Sequence, residues 1–294
     1  MTYGRADIHA LLEANDIHPS RALGQNFVAD GNTVRKIAHL AAVGPGSRVV
    51  EIGAGLGSLT LALAETGAEV TAVEIDRRIA PVLRSQVEPL GVRVVEADAL
   101  KVDWQKLLKD GAGGGGGVGG GSGTPEWTWS LVANLPYNVA IPLVIRVLEE
   151  APQVSSLLVM VQREVGERLA AQAGDEAYGA VSVKVAYWAS ASVVGRVPAS
   201  VFIPRPKVES VLVRLDRRPL PEGAVARVSY DRLFSVVRAG FAHRRKMLRR
   251  SLDGVVDPGA YPAAKVEPTA RAEELGLEEW GRLSAWEPTE PIAS

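Results

Sequence analysis

Val49-Val50-Glu51-Ile52-Gly53-Ala54-Gly55-Leu56-Gly57-Ser58-Leu59-Thr60 decides the fold of this chain. A β-branched apolar run passes into three alternate glycines and then into a helix-forming run, Leu59 to Ala64. That order predicts a buried parallel strand, a tight turn and a helix N-terminus. Glycine suits the turn because a side chain would block close approach of a ligand to the backbone and to the free helix N–H groups. Downstream, Val70-Thr71-Ala72-Val73 ends in Glu74. An acidic residue at the tip of a second strand is placed to accept hydrogen bonds from ribose hydroxyls. This half-sheet is therefore expected to bind a nucleoside-containing cofactor.

Spacing narrows the choice of cofactor. The dinucleotide fingerprint is G-x-G-x-x-G, whereas here the glycines stand at 53, 55 and 57 and Ser58 takes the place of the third. Glu-x-Gly-x-Gly-x-Gly resembles the S-adenosylmethionine loop of class I methyltransferases, whose ligand has no pyrophosphate to cradle. The fold expected is α/β, a Rossmann-like sheet of that class with a small α-helical C-terminal domain. Taken alone, the motif is also compatible with an ordinary glycine-rich turn.

Composition sets outer limits. The 294 residues suffice for a full α/β domain and a smaller one. Cysteine is absent, which excludes disulfides and thiolate sites and fits a cytosolic protein. The first residues lack the pattern of a secretory signal, and no apolar run is long enough to span a bilayer. A cytoplasmic protein, free of membrane and acting as a monomer, is expected, with no metal site. Net charge is −1, from 33 Lys+Arg against 34 Asp+Glu, so any basic surface must be local.

Along the chain, residues 5–15 carry a short amphipathic helix pattern. Arg21 to Val28 reads from spacing alone as a polar surface loop anchored by Phe27. Asp30 or Asn32 can cap the next helix, and Gly44-Pro45-Gly46 stops it. A helix over 77–88 and a strand Val92–Val95 follow. Asp98 comes just after that strand, where doubly wound sheets bind ligands and a carboxylate can accept from an adenine amine. It reads equally well as the cap of a helix over 103–109. Residues 111–124, nearly all glycine from 111 to 123, predict a flexible surface insertion that is neither phosphate loop nor domain boundary.

Ser130-Leu131-Val132-Ala133 predicts a fourth strand running into Asn134-Leu135-Pro136-Tyr137. Pro136 stiffens the turn, so that Asn134 and Tyr137 project together. An adenine N6 amine is a poor nucleophile because its lone pair is delocalised into the ring. An Asn oxygen and a backbone carbonyl accepting its two hydrogens favour a pyramidal nitrogen, and a stacked tyrosine holds the base in line for attack. Ser156–Val161 predicts a fifth, buried strand, followed by a helix over 162–171. Phe202 sits on a proline-stiffened loop before Val208–Leu215; that pattern suits a plain hairpin turn or a second stacking face for a flipped base. A single helix over 230–252 would align Arg238, Arg245 and Arg249, with Arg244, Lys246 and Arg250 nearby, in the chain's one dense basic patch. A last helix is expected over 270–283. The domain boundary is expected at 216/217, giving a methyltransferase domain over 1–216 and an RNA-recognition domain over 217–294.

Together these motifs resemble the rRNA adenine-N6 dimethyltransferases, most closely the bacterial small-subunit type. The resemblance is carried by Leu23 to Phe27, Glu51 to Gly57, Glu74, Asp98 and Asn134 to Tyr137. Tyr178-Gly179 with Ser182-Val183 extends it, as do Phe202-x-Pro204-x-Pro206-Lys207-Val208-x-Ser210 and Phe241-x-x-Arg244-Arg245-Lys246. It implies S-adenosyl-L-methionine as cofactor and S-adenosyl-L-homocysteine as product, contacted from Asn26, Val28, Gly53, Glu74, Asp98 and Asn134. It implies Asn134, Tyr137 and Phe202 at the base, and Arg238, Arg244, Arg245, Lys246 and Arg249 on RNA. The implied reaction is N6,N6-dimethylation of two adjacent adenines in a hairpin near the 3′ end of 16S rRNA, within a pre-ribosomal 30S particle during small-subunit biogenesis. Val28 stands where the family usually has leucine, and the glycine-rich insertion is foreign to the pattern. Three rivals remain. A large-subunit rRNA adenine methylase is opposed by Leu135 and the Arg-Arg-Lys run. A non-catalytic RNA-binding assembly factor would tolerate loss of Glu74 or Asn134. A nicotinamide dehydrogenase conflicts with the glycine spacing.

Overall fold

The structure is a computed structural model that describes residues 2–20, 22–110 and 128–286. The expected glycine-rich insertion, residues 111–124, lies outside the described residues. Two compact units form: Met1–Gly166 with Ser192–Arg217, and Glu167–Ala191 with Arg218–Ser294.

The first unit runs α1 (Arg5–Ala14), β1 (Phe27–Val28), α2 (Gly31–Leu40), β2 (Arg48–Ile52), α3 (Ser58–Ala64) and β3 (Glu69–Glu74). It continues through α4 (Ala80–Val87), β4 (Arg93–Glu96), α5 (Trp104–Asp110), β5 (Trp129–Asn134), α6 (Ala140–Glu150) and β6 (Val154–Gln162). Asp30 caps α2, its carboxylate accepting from Thr33 N–H at 2.6 Å. The cap of α5 is Asp103, accepting from Lys106 N–H at 3.0 Å, so Asp98 is released from the capping role that its position allowed.

Strand order in the seven-stranded sheet is β4-β3-β2-β5-β6, then β9 (Ser210–Arg217) and β7 (Ala189–Val197). Pairings among the first five strands are parallel, and β9 joins β6 antiparallel. The chain moves outward from β2 through β3 to β4, then returns to the other side of β2 with β5. This reversal is the topological switch point, and its crevice lies at the carboxyl ends of β2 and β5. Val49, Val50, Leu131, Val132, Val159 and Val161 are at most 1 % exposed, as strands covered on both faces should be. Each such side chain contributes about 1.5–3 kcal/mol by leaving water. At the end of β9, the Arg217 guanidinium donates to the carbonyls of Leu148 at 3.0 Å and Ala151 at 3.1 Å, closing the open end of α6.

The second unit takes up residues earlier than the expected cut at 216/217. The second half of α7 (Arg163–Ala170) leads into α8 (Ala180–Trp188), a mostly apolar helix that Lys184 interrupts; its Ala180, Val183 and Tyr187 pack with the C-terminal helices. Tyr178 anchors this stretch, its hydroxyl donating to the Leu275 carbonyl at 2.8 Å. The single helix expected over 230–252 is two: α9 (Tyr230–Ala242) and α10 (Leu248–Ser251). Long-range backbone pairing breaks it, since Leu248 N–H donates to Ala270 O at 2.8 Å and Arg249 N–H to Pro268 O at 3.0 Å. Arg244 is drawn aside to Glu273, 2.7 Å away, and to the Glu176 carbonyl. After α11 (Ala260–Ala264), the helix expected over 270–283 resolves into a single turn, Ala272–Glu274, and α12 (Leu277–Ala285). Trp280 of α12 lies so close to α9 that a Cβ on Gly240 would sit 2.5 Å from its ring. Only glycine fits there. No helix among the described residues is long and apolar enough to cross a membrane.

Candidate active site

Three glycines follow β2 with positive φ, Gly53 at 71°, Gly55 at 57° and Gly57 at 91°. A Cβ on Gly55 would lie 3.1 Å from the Phe27 ring, so the turn and the aromatic fit face to face only without one. The buried Gly55 N–H donates to Glu74 Oε2 at 2.7 Å, and Asp76 N–H donates to Oε1 at 2.8 Å. Glu74 thus ties the end of β3 to the glycine turn while keeping a second lone pair on each oxygen. Burial raises its carboxyl above the ordinary carboxylate range, and the N–H groups of Asp76 and Gly55 pull the other way.

The loop before β1 folds across the same strand ends. Gln25 donates from its amide to Asp76 Oδ2 at 2.9 Å. The Arg78 guanidinium on Asp76, helped by Gln25, holds that carboxyl down at about 2. Asn134 donates from Nδ2 to the Asn26 carbonyl at 2.9 Å. This bond fixes the amide plane and leaves Oδ1 as its acceptor end. Tyr137 shares a hydrogen bond with the buried Ser210 hydroxyl at 3.0 Å. The loop is fastened further by β1, which pairs antiparallel with β8 (Phe202–Ile203).

These elements form an open cleft lined by Asn26, Val28, Glu51, Gly53, Gly55, Glu74, Asn134 and Tyr137, among others. A second lobe adjoins it, with Leu23, Gly53, Ile75 and Pro136 bordering both. Asp98 and Leu100 lie in that second lobe. The structure therefore gathers six of the residues singled out in the first unit, Asn26, Val28, Gly53, Glu74, Asn134 and Tyr137, in one lobe and Asp98 in the next.

Phe202 is the exception. It is 1 % exposed, packs in the apolar core with Val28 and Leu212, and lines neither lobe. Pairing with β1 turns it inward, so it supports the cleft from beneath instead of offering a face to a base. The residue missed in the sequence is Ile75, while Gln25 and Glu51 stand within the quoted motifs without a role. Ile75 is 45 % exposed at the junction of the lobes, and an apolar residue beyond a strand's acidic tip was the available signal.

Charge settles what the cleft can hold. Among the described residues that line it, Glu51, Glu74 and Asp98 are acidic and none is lysine or arginine. A pyrophosphate would find no basic side chain there, and a phosphate-free cation would find the carboxyl groups of Glu51, Glu74 and Asp98, the last 3.6 Å from Lys101 Nζ. S-adenosylmethionine has that character, and the glycine turn and the apolar Ile75 suit its nucleoside.

Comparison with known proteins agrees. A family model described as ribosomal RNA adenine dimethylase matches residues 18–287. "Ribosomal RNA small subunit methyltransferase A" of Thermobifida fusca is 43 % identical over 294 residues, spanning 96 % of this chain and 95 % of the relative. The protein of the same name from Cutibacterium acnes is 44 % identical over 291 residues, spanning 95 % and 92 %. Among solved structures, the 23S rRNA methyltransferase ErmE superposes with TM-score 0.64 at 28 % identity, over 88 % of this chain and 98 % of its own. A dimethyladenosine transferase from Plasmodium falciparum, 23 % identical, shares the fold with TM-score 0.65 over 86 % of this chain and 94 % of its own. Matched along nearly its whole length, and carrying a cleft built for a phosphate-free cationic nucleoside, this chain belongs to the ribosomal RNA adenine dimethylase family of S-adenosylmethionine-dependent methyltransferases.

Proposed function

We propose that the protein dimethylates N6 of two adjacent adenines in a hairpin near the 3′ end of small-subunit rRNA, presented in a pre-ribosomal particle. The observation that carries the chemistry is the Asn134 amide, whose Nδ2 is spent on the Asn26 carbonyl. Its Oδ1 is thereby aimed as an acceptor for one N6 hydrogen, and a backbone carbonyl of the same turn takes the other. Withdrawing both hydrogens localises the nitrogen lone pair, so no general base is needed before attack. Tyr137, steadied by Ser210, holds the base plane. Glu74 takes the ribose hydroxyls on its remaining lone pairs. Asp98 takes the adenine amine between Ile75 and Leu100, and Gly53 and Asn26 hold the methionyl end. When bound, the cofactor supplies an electrophilic methyl on cationic sulfur; the chain's part is orientation.

The two relatives at 43 % and 44 % identity are named for the small subunit, which supports that substrate, while ErmE is named for 23S rRNA. Labelled methyl transfer to unmodified small and large subunits distinguishes them. Incorporation into small subunits alone is expected, and labelling of large subunits would overturn the assignment. We place the reaction in the cytoplasm, with the protein acting as a monomer.

RNA contact is assigned to Arg238 on α9, Arg245 and Lys246 in the turn, and Arg249 on α10, all exposed. Arg244 has a different occupation, its ion pair with Glu273. Arg245→Ala/Arg249→Ala should flatten the salt dependence of particle binding by about 1.4–1.8 units, since each phosphate neutralised releases counterion. Its melting temperature should match wild type, and Arg244→Ala should instead melt lower. An unchanged salt slope in the double variant would remove this surface from the RNA interface.

A further inference from the structure

Glu51 lies inside β2, two residues before Gly53, and the reaction as derived does not use it. Its residue is 2 % exposed, its carboxyl lines the cleft, and its Oε2 has no hydrogen-bond partner. The flanking strand positions are apolar, Ala72 on β3 and Val132 on β5, both 0 % exposed. From α3 come only the hydroxyls of Ser58 and Thr60. The charged group acting on it is the Glu74 carboxylate at the end of β3, of like sign. No lysine, arginine or histidine on these elements faces it. A buried carboxylate with an orphaned oxygen beside a second carboxylate is costly in its ionised form. Burial pushes the Glu51 acid up to about 8, the Thr60 hydroxyl pulling the other way and the Glu74 carboxylate adding to the rise.

A cation in the cleft reverses that balance. We propose that Glu51 is a neutral acid in the free protein and ionises when the cationic methionyl end of S-adenosylmethionine enters, so that cofactor binding releases a proton to solvent. The O–H bond of Glu51 breaks, the proton passes to buffer, and the carboxylate left behind compensates the incoming charge. This inference rests on the assignment of the cleft to S-adenosylmethionine. It makes Glu51 a positioning residue that matches the site's charge to its ligand.

Calorimetric titration of the full chain with S-adenosylmethionine at pH 7, in phosphate and in Tris, measures the proton count directly. Wild type is expected to release nearly one proton more than Glu51→Gln, and its Kd to tighten up to tenfold per pH unit on that account. The infrared difference spectrum of wild type should lose a protonated-carboxyl C=O band on binding, and Glu51→Gln should lack that band. An independent readout needs no cofactor. Ionising a buried acid destabilises the fold as pH rises from the ordinary carboxylate range through about 8, so Glu51→Gln should melt above wild type at alkaline pH. Equal proton release in wild type and Glu51→Gln would overturn the proposal. Failure of wild type to bind the cofactor at all would sink the cleft assignment instead.

Discussion

Asn134→Ala is expected to lower the single-turnover rate of methyl transfer by a factor on the order of 10²–10³ at saturating cofactor and RNA, the usual cost of deleting one preorganised polar partner. Two effects combine. The N6 amine loses the acceptor that localises its lone pair, and the Asn26 carbonyl loses the amide it accepts from at 2.9 Å. The second effect loosens a loop that lines the cofactor cleft, so cofactor affinity should also fall, by less than the rate. Tyr137→Ala should act differently, raising the RNA concentration for half-maximal rate because base positioning is lost. Wild-type single-turnover rates in Asn134→Ala would show that the Asn134 turn is not the reacting centre.

Glu74→Ala should raise the Kd for S-adenosylmethionine about 10- to 150-fold, corresponding to about 1.5–3 kcal/mol for a hydrogen bond to a charged group. The geometry adds a second cost. Glu74 accepts from Gly55 and Asp76 N–H groups at 2.7 Å and 2.8 Å, and both donors would be stranded by alanine. A stranded buried donor costs about 1–3 kcal/mol. The variant should therefore melt lower even without ligand, whereas Glu74→Gln, which retains one acceptor oxygen, should lose less. Calorimetry and thermal melts on the same samples separate the two contributions. Unchanged cofactor affinity in a folded Glu74→Ala protein would remove Glu74 from the ribose site.

What the sequence revealed and what it hid follow from the range of the interactions. Val49 to Thr60, Glu74 and Asn134 are legible because strand, turn and terminal residue are contiguous, and parallel sheets place such termini side by side. The inward turn of Phe202 depends on pairing with Val28, a contact no local pattern records. The break between α9 and α10 is set by Pro268 and Ala270, whose carbonyls take the N–H groups of Arg249 and Leu248. Up to Ala242 the spacing is helical, and nothing in 243–247 forbids continuation. α8 is mostly apolar with no single apolar stripe, so its periodicity could not show which unit it joins. Asp98 suits the cap only of a helix that begins at 103; α5 begins at Trp104, and Asp103 immediately before it is the cap.

The residues lining the cleft end at Tyr137 and Leu143 in its two lobes, yet β1 is held by β8 at Phe202 and Ile203. During synthesis, a chain extended as far as Ser200 has delivered every lining side chain and still lacks the strand that secures Phe27 and Val28. The Asn26–Asn134 bond already spans 108 residues, and contacts of such separation form only after the intervening loop entropy has been overcome. A chain stopped before β8 therefore carries the composition of the site without the strand that fastens β1.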